Sequence, residues 1–128
     1  MIKHPLSSEL SKAYEQMLFT LETLKIFCEK NEFQTVCIPP NSDPGSFKMK
    51  RAINQYQNEE WFVKVETLPR LEFINLIRNA SALIGNSSMG ILEAPHYKLP
   101  VVNIGNRQKG RLNAGNVEFV DYNNKDFI

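Results

Sequence analysis

Short apolar runs alternate along this chain with stretches in which apolar residues recur every three or four positions. The runs fall at residues 1–3, 33–38, 61–65, 81–85, 100–105 and 117–121. Between the first two, Ser7 and Ser8 are placed to cap a helix in which Leu10, Ala13, Tyr14, Met17, Leu18, Leu21, Leu24 and Phe27 keep helical spacing. A second helix is predicted over 46–57, polar apart from Phe47, Ile53 and Tyr56. A third spans 70–79, with Phe73, Ile74, Leu76 and Ile77 inward, and a fourth spans 87–97. Pro39-Pro40 stops the second run, and residues 41–45 read as a loop. Strand and helix alternating in this way predict an α/β fold: a parallel sheet with helices on both faces.

In such sheets ligands bind outside the carboxyl ends of the strands. The polar groups placed there are His4-Pro5, Asn41, Glu66-Thr67, Asn86-Ser87-Ser88 and Asn106-Arg107. The fourth of these is the most informative. A strand that breaks at Gly85 and restarts as a helix at Ser87-Ser88 presents unpaired backbone N–H groups, which suit a phosphate. Glu93 would lie roughly 7–9 Å further along the axis at 1.5 Å per residue, within reach of a ribose. Asn86, Gly90 and Glu93 would share one helix face, left open at Gly90 for a ligand to approach. The same eleven residues also fit a plain strand-to-helix turn with capping serines.

Composition narrows the class. The 128 residues suffice for about one domain, and 42% apolar with 23% charged residues is the balance of a globular one. A formal net charge of +1 argues for neither a nucleic-acid nor a membrane partner. Residues 1–5 lead directly into a polar turn rather than a leader. Cys28 and Cys37 lack metal-ligand spacing and read as buried free thiols of a cytoplasmic protein. No metal or cofactor is expected.

The block Gly85-Asn86-Ser87-Ser88-x-Gly90-Ile91-x-Glu93-Ala94-Pro95, followed by Pro100-Val101-Val102-Asn103-Ile104-Gly105-x-Arg107-Gln108-x-Gly110-Arg111, resembles the hydrolysing UDP-N-acetylglucosamine 2-epimerases. His4-Pro5 and Pro40-Asn41-x-Asp43-x-Gly45 fit the same family in the same order. The resemblance implies a two-domain enzyme of the glycosyltransferase-B type. This chain resembles its carboxy-terminal half, a Rossmann-like domain that holds UDP. Residues 1–128 then form one UDP-binding domain, truncated at both ends. The strand at 1–3 is short for a central strand in the order 3-2-1-4-5-6, and 124–128 stop where a further helix would start.

The resemblance also assigns roles. Ser87 and Ser88 match diphosphate-binding serines, and Glu93 matches a ribose-binding carboxylate. Arg107 and His4 match residues near the phosphates, His4 being one on which family activity depends and hence the catalytic candidate. Asn41 matches a nucleotide contact, and Asn86 and Gly90 belong to the nucleotide-binding turn. The implied partners are UDP or a UDP-N-acetylhexosamine and an amino-terminal domain of the same enzyme, with a homo-oligomer possible. A glycosyltransferase domain of the same architecture is the alternative enzyme, and a non-catalytic nucleotide-binding module the third reading.

Overall fold

Strand alternation decides how this sheet is built, because successive side chains leave on opposite faces. The computed structural model describes residues 1–122. It contains β1 (Thr35–Cys37), β2 (Phe62–Lys64), β3 (Leu83–Gly85), β4 (Val101–Ile104) and β5 (Val117–Val120). β1 pairs in parallel with β2, and β3, β4 and β5 pair in parallel in that order. Residues 1–3 join the two groups: Ile2 bridges in parallel to Ile38 on one side and to Gly85 on the other. Its N–H donates to the Ile84 carbonyl at 2.9 Å, and its own carbonyl accepts from Asn86 N–H at 3.1 Å. On the other side Ile38 N–H donates to the Met1 carbonyl at 3.1 Å. The order across the molecule is therefore β2, β1, residues 1–3, β3, β4, β5. This is the expected 3-2-1-4-5-6 arrangement, with the stub of residues 1–3 as its central member.

Two apolar cores follow from the alternation. Cys37 and Ile84 turn to one face, where α1 (Ala13–Asn31) and α2 (Ser46–Ile53) bury Met17, Leu21, Leu24, Met49 and Ile53 against Trp61 and Phe62. Ile2 and Leu83 turn to the other face, with Ile77 of α3 (Arg70–Asn79), Met89 of α4 (Met89–Leu92), Leu99 and Val101. Each such side chain contributes about 1.5–3 kcal/mol on burial. At the amino-terminal ends of the strands β1 and β3 part below Met1. They leave an apolar cavity of about 340 Å³, lined by residues such as Leu24, Phe27 and Leu76. It lies at the opposite end of the sheet from the polar strand ends.

Several local expectations are corrected. Ser7 and Ser8 do not cap α1. They lie inside a 3₁₀ helix, Ser7–Lys12, whose N-cap is Leu6 and has no side-chain cap bond. That turn departs from helical geometry at Glu9, whose carboxylate is held by Gln16 Nε2 at 2.6 Å. The predicted helix at 46–57 ends its α portion at Ile53 and tightens to 3₁₀ over Asn54–Tyr56. The predicted helix at 87–97 is broken: α4 ends at Leu92, Glu93 sits at φ −113°, and Ala94–Tyr97 is 3₁₀. Pro95 is the cause, since it lacks an N–H and its ring excludes the carbonyl four residues back. The expectation for residues 124–128 lies outside the described residues.

Gly85 allows the stub to enter the sheet. Its φ is +144°, and a Cβ there would lie 1.9 Å from the Ile2 carbonyl oxygen, inside backbone that cannot give way. Gly85→Ala should therefore cost roughly 3 kcal/mol or more, from strain and overpacking together. Gly110 has φ +80° and nothing within 4 Å, so Gly110→Ala should cost only about 1 kcal/mol. Urea unfolding of the two variants checks this. Equal losses would mean that the approach of Ile2 is not what demands glycine at position 85.

Candidate functional site

Immediately past Gly85 the chain places Asn86, whose side chain is buried. Its Oδ1 accepts from the His4 N–H at 2.7 Å, and its Nδ2 donates to the His4 carbonyl at 2.8 Å. Its backbone carbonyl accepts from Arg107 Nη1 at 3.0 Å and from Gln108 Nε2 at 3.2 Å. One residue thus ties together the carboxyl ends of the stub, β3 and β4. The side chain is fully committed to the backbone of His4, so Asn86 acts by holding its neighbours in place.

Ser87 and Ser88 follow as half-buried residues. Ser87 Oγ accepts from Met89 N–H at 3.4 Å, and the Ser88 carbonyl accepts from the N–H groups of Ile91 and Leu92. Among the described residues nothing bonds to the backbone N–H groups of Ser87 and Ser88 or to the Ser88 hydroxyl.

The shared helix face expected for Asn86, Gly90 and Glu93 does not form. Asn86 precedes α4 altogether, and Gly90 faces inward. A Cβ on Gly90 would lie 2.9 Å from Val101 Cγ1 and 3.5 Å from Leu83 Cδ2. The glycine lets α4 lie close on β3 and β4 rather than opening a path for a ligand. Glu93 stands at the helix break, and its carboxylate Oε2 accepts from Arg70 Nη2 at 2.8 Å.

His4 and Arg107 are the two basic side chains of the site. Burial lowers the His4 pKa below its ordinary 6.5, the Arg107 charge lowers it further, and Asp43 acts in the opposite sense. The imidazole is therefore neutral at pH 7, and its Nδ1 is buried with no hydrogen-bond partner among the described residues. Arg107 is carried on a 3₁₀ turn, Asn106–Gln108, whose far side is held by Arg111 Nη1 donating to Gln108 Oε1 at 2.8 Å. Asn41 is exposed and accepts from Asp43 N–H at 3.2 Å, an Asx turn within the loop after β1. Glu66 is turned to Lys64, at 3.0 Å. The structure thus brings His4, Ser87, Ser88 and Arg107 together around Asn86.

Three contributing residues escaped the sequence reading. Gln108 is buried and anchors Arg107's turn on Asn86, and Arg70 holds Glu93. The third is Lys3, only 1% exposed. Its ammonium lies 5.0 Å from the ring centroid of Tyr122, and desolvation lowers its pKa to about 7, offset in part by Glu9. A charged residue inside the central stub was the available signal.

A family model described as UDP-N-acetylglucosamine 2-epimerase matches residues 1–128. A Legionella pneumophila protein named UDP-N,N'-diacetylbacillosamine 2-epimerase (hydrolyzing) is 33% identical over 121 residues, covering 94% of this chain and 31% of that protein. A Campylobacter jejuni protein named GDP/UDP-N,N'-diacetylbacillosamine 2-epimerase (hydrolyzing) is 31% identical over 128 residues, covering 96% and 32%. The solved UDP-GlcNAc 2-epimerase of Methanocaldococcus jannaschii superposes with a TM-score of 0.75 at 15% identity, over 98% of this chain and 35% of that one. The chain thus spans about a third of the length of the proteins it matches.

The buried amine makes stability depend on pH with a definite sign. Lys3 titrates at about 7 in the folded chain against 10.5 in the open one. Between those values the unfolded state carries the extra proton, so stability rises with pH. The Met1 amino group, also lowered by burial, adds a rise up to about its ordinary 8.0. The Cys28 and Cys37 thiols are raised by burial and oppose the trend only above about pH 9. Between pH 7 and 9 the wild-type chain should therefore gain roughly 2 kcal/mol from Lys3, at 1.36 kcal/mol per unit. Lys3→Met should lack that share of the rise and match or exceed wild type at pH 7. Parallel pH dependences in chemical denaturation would show that Lys3 keeps its proton on folding.

Proposed function

Because the chain belongs to the UDP-N-acetylglucosamine 2-epimerase family, we propose that it is the UDP-holding domain of a hydrolysing epimerase. The reaction so assigned converts a UDP-N-acetylhexosamine to UDP and the free 2-epimerised sugar. Removal of the sugar C2 proton expels UDP and leaves a glycal, and water then adds across the double bond. The names of the relatives favour an N-acetylated sugar on UDP, the diacetamido sugars named for the Legionella and Campylobacter proteins included. In this reading the parent enzyme is cytoplasmic and has the two-domain glycosyltransferase-B architecture, with this chain as its carboxy-terminal half.

The observation that carries the proposal is the Asn86 junction. It holds the backbone of His4, the Ser87-Ser88 turn and the Arg107 guanidinium at one strand end. The open N–H groups and hydroxyl of the serine turn suit the diphosphate oxygens. Arg107 adds a fixed positive charge where the leaving group accumulates negative charge. His4, neutral beside that charge, donates a hydrogen bond to a phosphate oxygen without competing for the anion. Glu93 takes the ribose hydroxyls, and Asn41 borders the nucleotide from the loop after β1. The groups that move protons at sugar C2 belong to the rest of the enzyme. Within this chain Glu93 and Arg107 are engaged by the nucleotide, and one imidazole cannot serve both elimination and hydration.

UDP should bind this chain more tightly than uridine, since serine turn, His4 and Arg107 all act on the phosphates. Ser88→Ala should weaken UDP and spare uridine, whereas Glu93→Gln should weaken both by a similar factor. One hydrogen bond to a charged group is worth roughly 1.5–3 kcal/mol. Calorimetry at fixed ionic strength measures all six affinities, and equal binding of UDP and uridine to the wild-type chain would refute the phosphate site.

Prolonged incubation of the pure chain with UDP-N-acetylglucosamine should release no N-acetylmannosamine. Turnover in excess of the protein, abolished by His4→Ala, would place the whole machinery in these residues.

A further inference from the structure

We propose that Arg70 is a positioning residue that aims the Glu93 carboxylate and thereby sets the preference for a ribonucleotide over its 2′-deoxy counterpart. The inference rests on the ribose role given to Glu93 above. Arg70 opens α3, directly after Pro69, whose ring restricts the chain entering the helix. Its guanidinium is fixed from two sides. Nη2 donates to Glu93 Oε2 at 2.8 Å, and the group lies over the Phe73 ring at 5.8 Å.

Glu93 can meet it because Pro95 breaks the helix. At φ −113° the residue has left the geometry of α4, and its side chain reaches across to the start of α3. Each carboxylate oxygen carries two lone pairs. The Arg70 bond occupies one of the four. Both lone pairs of Oε1 and one of Oε2 stay open, enough for two vicinal hydroxyls. The ion pair is too exposed to matter much for the fold, at 64% and 37% for the two side chains. What it supplies is orientation: a carboxylate free on a broken helix end would sample several rotamers, and Arg70 selects one.

The test is the ratio of affinities for UDP and 2′-deoxy-UDP, measured by calorimetry on the wild-type chain and on Arg70→Ala, Arg70→Lys, Glu93→Gln and the Arg70→Ala/Glu93→Gln double variant. Both ligands carry the same diphosphate, so any general effect of removing a positive charge cancels in the ratio. Wild type should prefer UDP by about tenfold, the worth of one charge-assisted hydrogen bond. Glu93→Gln should abolish the preference. Arg70→Ala should reduce it at least about threefold, Arg70→Lys should fall between, and the double variant should match Glu93→Gln alone. Unfolding midpoints close to wild type exclude a folding defect. An Arg70→Ala chain that keeps the wild-type ratio overturns the inference even if both affinities fall together. A wild-type chain with no preference removes the ribose role of Glu93 itself, and this inference goes with it.

Discussion

Asn86 is the residue on which the arrangement depends. Its side chain must donate to one backbone group of His4 and accept from another, at 2.8 and 2.7 Å. Among short side chains only a neutral amide offers a donor and an acceptor on one planar group. Asp would lack the donor and bring a buried charge, and Gln would overreach by a methylene. The carbonyl of the same residue takes two further donors, from Arg107 and Gln108. These four bonds replace strand pairing at the point where the central stub ends. Leaving one such buried group unsatisfied costs about 1–3 kcal/mol, so the junction is an all-or-none feature.

The two motif blocks of the sequence are therefore one physical unit. Gly85 admits the stub, Asn86 captures it, and the turn after β4 comes back to cap Asn86. Asn103 Nδ2 donates to the Gly105 carbonyl at 3.2 Å, and Gly105 turns at φ +78° beneath Tyr122. Arg107 is consequently anchored through one nitrogen while its charge is felt at His4. A positive charge set beside a neutral imidazole in a partly desolvated place is a poor arrangement for stability and a good one for an anion.

Fold class and strand order were legible because alternating strands and helices predict a parallel sheet, for which 3-2-1-4-5-6 is the usual order. The polar strand ends were legible because each apolar run is followed by polar residues. The readings that failed concern single residues whose neighbours are distant in sequence. Gly90 looked like an opening because helical spacing alone cannot say which side meets the sheet; Val101 decides it. Glu93 looked like a point on a continuous helix, although Pro95 two residues on already argued for a break. Ser7 and Ser8 look like caps locally, but Glu9 is drawn toward Gln16 and Asn106 instead. Gln108 and Arg70 were not read as site residues because Asn86 and Glu93, the partners that give them their roles, lie 22 and 23 residues away. Lys3 could have been noticed as a charge in a central strand, yet nothing in the sequence names Tyr122 as its cover.

The stitch between His4 and Asn86 joins positions 82 residues apart. Every element of the α1–α2 face, and α3 as well, lies in the closed loop between them. The entropy of closing so long a loop must be met before any of its bonds can form, whereas each pair of neighbouring strands can assemble within its own half. The polar end of the sheet thus exists only where the chain has closed on itself across that loop, as Ile2 does beside it in the second core. In the proposed reading, a ligand at this end can bind only a chain in which that long closure has been made.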